Sequence, residues 1–225
     1  MKRSLPFIII GAVLLLAVGI GWKMSARYGS SGEKAPAPEV SKAPAPAPSP
    51  GKPVPGRVVT IEEFGDYQCP PCGLLYPELK KIEAEYGSSV HVVFRHLPLT
   101  KIHKNALLAA QAAEAARLQN RFLEMHDRIY LNQKKWAEEA DARPVFLGYA
   151  RELGLDAARF TRDIESPEVN SRINADTQLA VTRGVTGTPT LLLEGRQLRP
   201  EATTAEGIRA AINFLLATKA PPPAG

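Results

Sequence analysis

The chain has 225 residues, with 28 Lys+Arg, 23 Asp+Glu, 20 Pro and two Cys. That length holds one medium domain plus extensions, and two cysteines can build neither a disulfide-stapled mini-domain nor a four-cysteine zinc site. The net charge of +5 resides in the first 57 residues, which hold eight of the basic residues and two of the acidic ones; the rest is close to neutral, without the footprint of a nucleic-acid binder.

In chain order, the first element is an apolar run. Leu5–Trp22 carries no charged residue, and eighteen residues at ~1.5 Å per residue reach about 27 Å, enough for a hydrocarbon core. Trp22 stands where an interfacial aromatic anchors such a segment. The run reads as an uncleaved membrane anchor. The competing reading is a cleaved signal, but Met24-Ser25-Ala26 is a poor small-x-small site and no cysteine follows that could be lipidated. Basic residues on both sides of the run leave its orientation open. From Pro36 to Pro55 there are eight prolines among Ala, Ser, Lys and Gly, a composition that favours an extended tether over a packed core.

The domain begins near Arg57. Val58-Val59-Thr60-Ile61 reads as a short strand. Leu75, Leu79, Ile82 and Tyr86 recur at helical spacing, so Pro71 to Tyr86 reads as a helix capped by Gly87. Val90 to Phe94 is a second strand. From about His103 to Asn174 the chain is helix-forming and strand-poor, led by paired alanines from Ala109 to Ala116. Thr190-Leu191-Leu192-Leu193 is a third strand, with a fourth expected around Gln197-Leu198. Ala205 to Thr218 is a closing amphipathic helix. The order is strand–helix–strand, a helical block, then strand–strand–helix.

Cys69-Pro70-Pro71-Cys72 holds both cysteines and sits between a strand and a helix. Two intervening residues let one thiolate attack a disulfide while the other waits to resolve the mixed disulfide. A helix N-terminus lowers the pKa of the first thiol, and proline is tolerated in the first turn because its missing N–H costs nothing there. A zinc half-site lacks two further ligands, since His91 and His96 fall on opposite faces of a strand. A structural disulfide across so small a loop would add little stability.

The run Glu63-Phe64-Gly65-Asp66-Tyr67-Gln68-Cys69-Pro70-Pro71-Cys72 resembles the active-site segment of DsbA-like thiol:disulfide oxidoreductases, of the membrane-anchored bacterial branch. Phe94-Arg95-His96-Leu97-Pro98-Leu99, His103 with the Ala-rich helix, Glu124-Met125-His126-Asp127, Asn132-Gln133 with Trp136, and Gly184-Val185-Thr186-Gly187-Thr188-Pro189-Thr190 extend the likeness over Arg57 to Lys219. The resemblance implies an α/β fold: a thioredoxin-like core with an inserted all-helical subdomain. The expected organisation is residues 1–28 as cytoplasmic tip and transmembrane anchor, 29–56 as linker, 57–219 as the domain (helical insertion about 101–178) and 220–225 as a tail.

By position, the resemblance makes Cys69 the exposed nucleophile and Cys72 the buried resolving cysteine, together the redox-active disulfide, with Pro70 and Pro71 forming the active-site loop. It makes Pro189 the cis-proline and Thr188 the residue whose backbone pairs with substrate. Glu63 matches the buried acid that exchanges a proton with Cys72; the alternative is that Glu62 or Glu63 merely faces solvent at a strand edge, with Glu62 or Asp66 as rival proton carriers, and Asp66 also reads as shaping the turn before Cys69. Pro77 matches a helix-kinking proline. His96, His103 and Trp136 read as packing or capping residues. The dipeptide departs from the best-known pattern, lacking a histidine and one N–H, which should raise the Cys69 pKa relative to a strong oxidant.

The expected activity is extracytoplasmic disulfide exchange in the oxidase direction, with no cofactor and no metal. A reductase of the same fold, such as one serving cytochrome maturation, is the alternative; a metal- or peptide-binding chaperone is the alternative of another class. The partners implied are cysteine-containing extracytoplasmic proteins and a membrane redox protein of DsbB or VKOR type, with no nucleic acid. The expected state is a monomer, single-pass in the bacterial inner membrane, with its domain in the periplasm or outside the cell.

Overall fold

The computed structural model describes residues 56–218. The expected anchor, the proline-rich linker and the tail from 220 lie outside the described residues. Among the described residues no helix is long and apolar enough to cross a membrane.

Strand β1, Val59–Gly65, is longer than the β-branched run suggests, because its acidic pair Glu62-Glu63 is accommodated one residue to each face of the sheet. Helix α1, Pro70–Tyr86, starts with Cys69 as N-cap and Pro70-Pro71 in its first turn. Pro77 lies inside it, and Gly87 ends it at φ +52°. Strand β2, Val90–His96, follows a 3₁₀ turn. The helical block is α2 (Ala106–Arg117), α3 (Phe122–Leu131), α4 (Gln133–Trp136), α5 (Arg143–Glu152), α6 (Ala157–Asp163) and α7 (Pro167–Thr182). It runs a few residues past the expected boundary near 178, because α7 continues to a glycine at positive φ, Gly184. Then come β3 (Thr190–Leu193), β4 (Arg196–Gln197) and α8 (Ala205–Ala217).

The sheet order is β2-β1-β3-β4, with β1 and β2 parallel and the other pairs antiparallel. This is a thioredoxin-like core, with the six helices inserted between β2 and β3. Period-two alternation divides its two faces. Val59, Ile61, Leu191 and Leu193 pack against Leu75, Leu79 and Ile82 of α1 and Ile208, Ile212 and Leu216 of α8. Phe64 and Leu192 on the other face meet Ala180 of α7, Leu97 and Val185. Glu63 shares a face with Val59 and Ile61; Glu62 shares the other with Phe64.

The insertion has its own core around α2. Ala109, Ala110, Ala112, Ala113, Ala115 and Ala116 are all buried, so this helix is enclosed on nearly every side. Small side chains let Met125, Ile129, Phe146, Phe160 and Ile173 close around it. The same cluster includes Tyr67, Cys72 and Tyr76, which ties the insertion to the redox motif.

Candidate active site

Cys69 and Cys72 stand as free thiols at the start of α1. Cys69 is 5% exposed and Cys72 is fully buried. The expectation of an exposed nucleophile is thereby corrected. The exposed members of the motif are Pro70 and Pro71, while the Cys69 thiol turns inward, its Sγ 3.5 Å from the Thr188 carbonyl oxygen. The order of access still distinguishes the two cysteines. The Thr188-Pro189 bond is cis, and the Thr188 hydroxyl is buried with no hydrogen-bond partner among the described residues.

The Cys69 pKa falls from 9.0 to about 6. The hydrogen bond from the Cys72 thiol is the main cause; burial opposes it, and the Cys72 amide adds to it. The Cys72 pKa moves up, because its proton is held by Cys69, because it is buried, and because the Glu63 charge lies near. The loop thus separates one thiol that ionises readily from one that keeps its proton. The missing histidine and the lost N–H of Pro71 do not prevent this, since the donors come from Cys72 itself.

Glu63 lies in β1 opposite Phe94 of β2 and Leu191 of β3. It is 3% exposed, and its Oε1 has no hydrogen-bond partner among the described residues. Burial, then the nearby Cys69 charge, raises its pKa from 4.5 to about 8, so the acid is mostly protonated at neutral pH. Glu62 points the other way, to Arg95 at 3.0 Å and Arg183 at 3.3 Å. Strand register therefore singles out Glu63 as the acid on the thiol side.

Aromatic rings enclose this acid. Tyr67 stacks on Phe94 at 4.9 Å and Tyr76 on Tyr130 at 5.1 Å. The Tyr67 hydroxyl is hydrogen-bonded to His126 Nδ1 at 2.9 Å. Burial holds His126 at a pKa of about 3, so it stays neutral. Gly65 makes the tight packing possible: a Cβ there would overlap the Phe94 ring. A cleft of about 650 Å³, lined by residues of α1, β2 and α3, reaches Glu63.

Several residues that carry only a structural reading in the sequence, or none, hold the loop. Asp66 is wholly buried; its Oδ1 accepts the Gln68 N–H at 2.7 Å, and its Oδ2 accepts the Leu99 N–H at 2.9 Å and lies 2.7 Å from His103 Nδ1. Its role exceeds shaping a turn. Gln133 of α4 donates Nε2 to the carbonyls of Tyr67 and Cys69, at 2.7 and 2.9 Å. Gly73 leaves room for that amide, since a Cβ would lie 2.5 Å from Gln133 Oε1. Gln68 accepts the Asn105 N–H at 2.7 Å. Of the histidines read as packing, His96 meets buried Glu114 at 2.8 Å, and His103 is the Asp66 partner; Trp136 is buried and donates to the Ile129 carbonyl. Among the described residues no cluster of His, Cys, Asp and Glu could hold a metal ion.

A family model described as Thioredoxin matches residues 57–213. The structure is similar to a thioredoxin-like oxidoreductase from Silicibacter pomeroyi, with 29% identity, a TM-score of 0.56, and coverage of 70% of this chain and 88% of that one. It shares its fold with oxidised BdbD from Bacillus subtilis, with 20% identity, a TM-score of 0.63, and coverage of 74% and 96%. Among curated proteins it is 40% identical over 140 residues to a Na(+)/H(+) antiporter NhaA of Salinispora tropica, covering 62% of this chain. The chain spans about a fifth of the length of the curated relatives it matches. The chain belongs to the thioredoxin family, where its helical insertion and thiol pair place it with the DsbA-like thiol:disulfide oxidoreductases.

Proposed function

We propose that this protein introduces disulfides into cysteine-containing proteins outside the cytoplasm, passing the electrons to a membrane redox partner of DsbB or VKOR type. The observation that carries the reading is the asymmetry of the pair: the Cys69 pKa is lowered while Cys72 is buried and keeps its proton. A stabilised Cys69 thiolate favours the reduced form of the pair, which makes the disulfide form an oxidant.

In this mechanism a substrate thiolate attacks Cys69 Sγ of the oxidised pair. The new S–S bond joins substrate to Cys69, the Cys69–Cys72 bond breaks, and Cys72 leaves with the electron pair. Protonated Glu63 supplies the proton that Cys72 takes up. A second substrate thiolate then attacks the substrate sulfur of the mixed disulfide, forming the substrate disulfide and releasing Cys69 as a thiolate. Thr188 and Pro189 would hold an extended substrate segment beside Cys69, through backbone groups. The partner reverses the sequence and removes two electrons. Glu63 is the proton carrier in both directions because its pKa of about 8 lies near working pH.

The apolar run Leu5–Trp22 followed by a proline-rich stretch supports an anchored, extracytoplasmic placement. A pair of cysteines used for exchange suits an oxidising compartment. The test is a glutathione redox titration of the Cys69–Cys72 pair, with oxidation of a reduced substrate protein and Cys69→Ser as control. A potential towards the about −120 mV of strong oxidants supports the oxidase direction; one near about −270 mV assigns a reductase. Absence of turnover in the wild-type protein would leave a binding protein.

A further inference from the structure

The redox motif carries no positive charge. Its dipeptide is Pro70-Pro71, and the carboxylate that stands three residues before Cys69 is Asp66. Asp66 has no exposed side-chain surface, and its backbone oxygen accepts the Cys69 N–H at 3.1 Å. A buried negative charge so placed opposes ionisation of Cys69, and Asp66 is among the groups that push that thiol up. Unbalanced, it would work against the thiolate on which exchange depends.

Three donors converge on the carboxylate. Two are the backbone N–H groups of Gln68 and Leu99, which carry no net charge. The third is His103, whose Nδ1 lies 2.7 Å from Oδ2. Of the three, His103 alone can carry a full positive charge. An imidazole can hold its proton on the nitrogen that faces a carboxylate, and the 2.7 Å contact places Nδ1 for that. The ring is 17% exposed and lines a surface cleft of about 270 Å³ with Gln68, Pro70, Ile102, Lys104 and Glu138. The charged groups facing it are Asp66 behind and Lys104 and Glu138 across the cleft.

We propose that His103 is a charge-balancing residue of the redox centre: bonded to Asp66 through Nδ1, it draws the buried carboxylate's charge away from Cys69 and stands in for the positive side chain absent between the cysteines. It rests on the exchange reading above and adds the residue that tunes it. No electron or proton of the exchange passes through His103. It acts through Asp66 and is a positioning residue; it alters how readily Cys69 exists as thiolate, and with that the redox poise of the pair.

The experiment is a thiolate titration of the reduced full-length protein, read by ultraviolet absorbance against pH, on wild type, His103→Phe, His103→Gln, Asp66→Asn and the Asp66→Asn/His103→Phe double variant. His103→Phe should raise the Cys69 midpoint by about one pH unit, a tenfold loss of thiolate at a given pH below it. His103→Gln, which keeps an N–H but no charge, should fall between. Asp66→Asn alone should lower the midpoint, and the double variant should return to wild type or below. An unchanged midpoint in His103→Phe, or a double variant shifted upward as far as the single, overturns the proposal, since a merely structural histidine would not be rescued by removing a charge. If His103→Phe does not fold, His103→Gln and Asp66→Asn decide alone: both midpoints must move, in opposite directions. The titration needs no turnover, so its failure is distinct from a wild-type protein that exchanges no disulfides.

Discussion

Replacing Glu63 by Gln keeps the shape of the side chain and removes its titration. The folded pKa of about 8 lies above the ordinary 4.5, so the folded state binds more protons than the unfolded chain between those values. The sign follows: wild-type stability is fully present below about pH 4.5 and is lost as pH rises through 8. At pH 7, two and a half units above 4.5, the loss at about 1.4 kcal/mol per unit is about 3 kcal/mol, and it levels off near about 5 kcal/mol above pH 8. Little screening applies, because Glu63 is 3% exposed. Glu63→Gln should therefore match wild type at pH 4.5 and exceed it by up to about 3 kcal/mol at pH 7. Urea unfolding of the reduced proteins across this range measures it, as a shift in midpoint with unchanged slope. The gain should shrink in the disulfide form, since the Cys69 charge is the second cause of the shift. In the reverse direction, where Cys69 attacks a disulfide and Cys72 must lose its proton to resolve the mixed disulfide, the same variant should slow the resolution by Cys72 and leave the attack by Cys69 nearly unchanged. Parallel stability curves for the two proteins between pH 4.5 and 8 would refute the reasoning and leave the proton to water or another acid.

Three further outcomes are expected. Cys72→Ala should accumulate a covalent mixed disulfide with substrate on non-reducing gels, whereas Cys69→Ala should form none; trapping by Cys69→Ala instead would reverse the roles. Gly65→Ala places a methyl group into the Phe94 ring and 3.1 Å from Glu63 Oε1, so it should cost about 1–3 kcal/mol in denaturant melts. His126 is held neutral at a pKa of about 3 against an ordinary 6.5, so its contribution is present above 6.5 and declines by about 1.4 kcal/mol per unit as pH falls towards 3. His126→Asn, which keeps a hydrogen-bond partner for Tyr67, should flatten that acid limb in stability measurements; an unchanged limb would exclude His126 as its source.

The parts of the site legible in the sequence are those made by neighbours in the chain. Cys69 to Cys72 at a strand–helix junction, Gly87 as a cap and Thr188-Pro189 before a strand are local patterns. The choice between Glu62 and Glu63 was also within reach: once Val59 and Ile61 are core residues, alternation puts Glu63 on their face. What the sequence withholds is the clamp around the motif. His103 meets Asp66 across 37 residues, Gln133 reaches Cys69 across 64, and Tyr67 bonds His126 across 59. Each depends on how the helical insertion docks on the core, and no periodicity encodes that. The length of β1 was missed because acidic residues weigh against a strand, until Arg95 and Arg183 on one face and aromatic rings on the other accommodate them.

The cleft that reaches Glu63 shares no lining residue with the two clefts flanking Cys69, which are bordered by Pro70, Pro71 and Pro189. A protein docked over the prolines would cover the sulfur chemistry and leave the flank of α1, with Tyr76, Lys80 and Glu83, open to water. Of the three clefts only the one on that flank borders Glu63, so a client seated on Pro70 and Pro71 leaves the carboxyl's own approach uncovered.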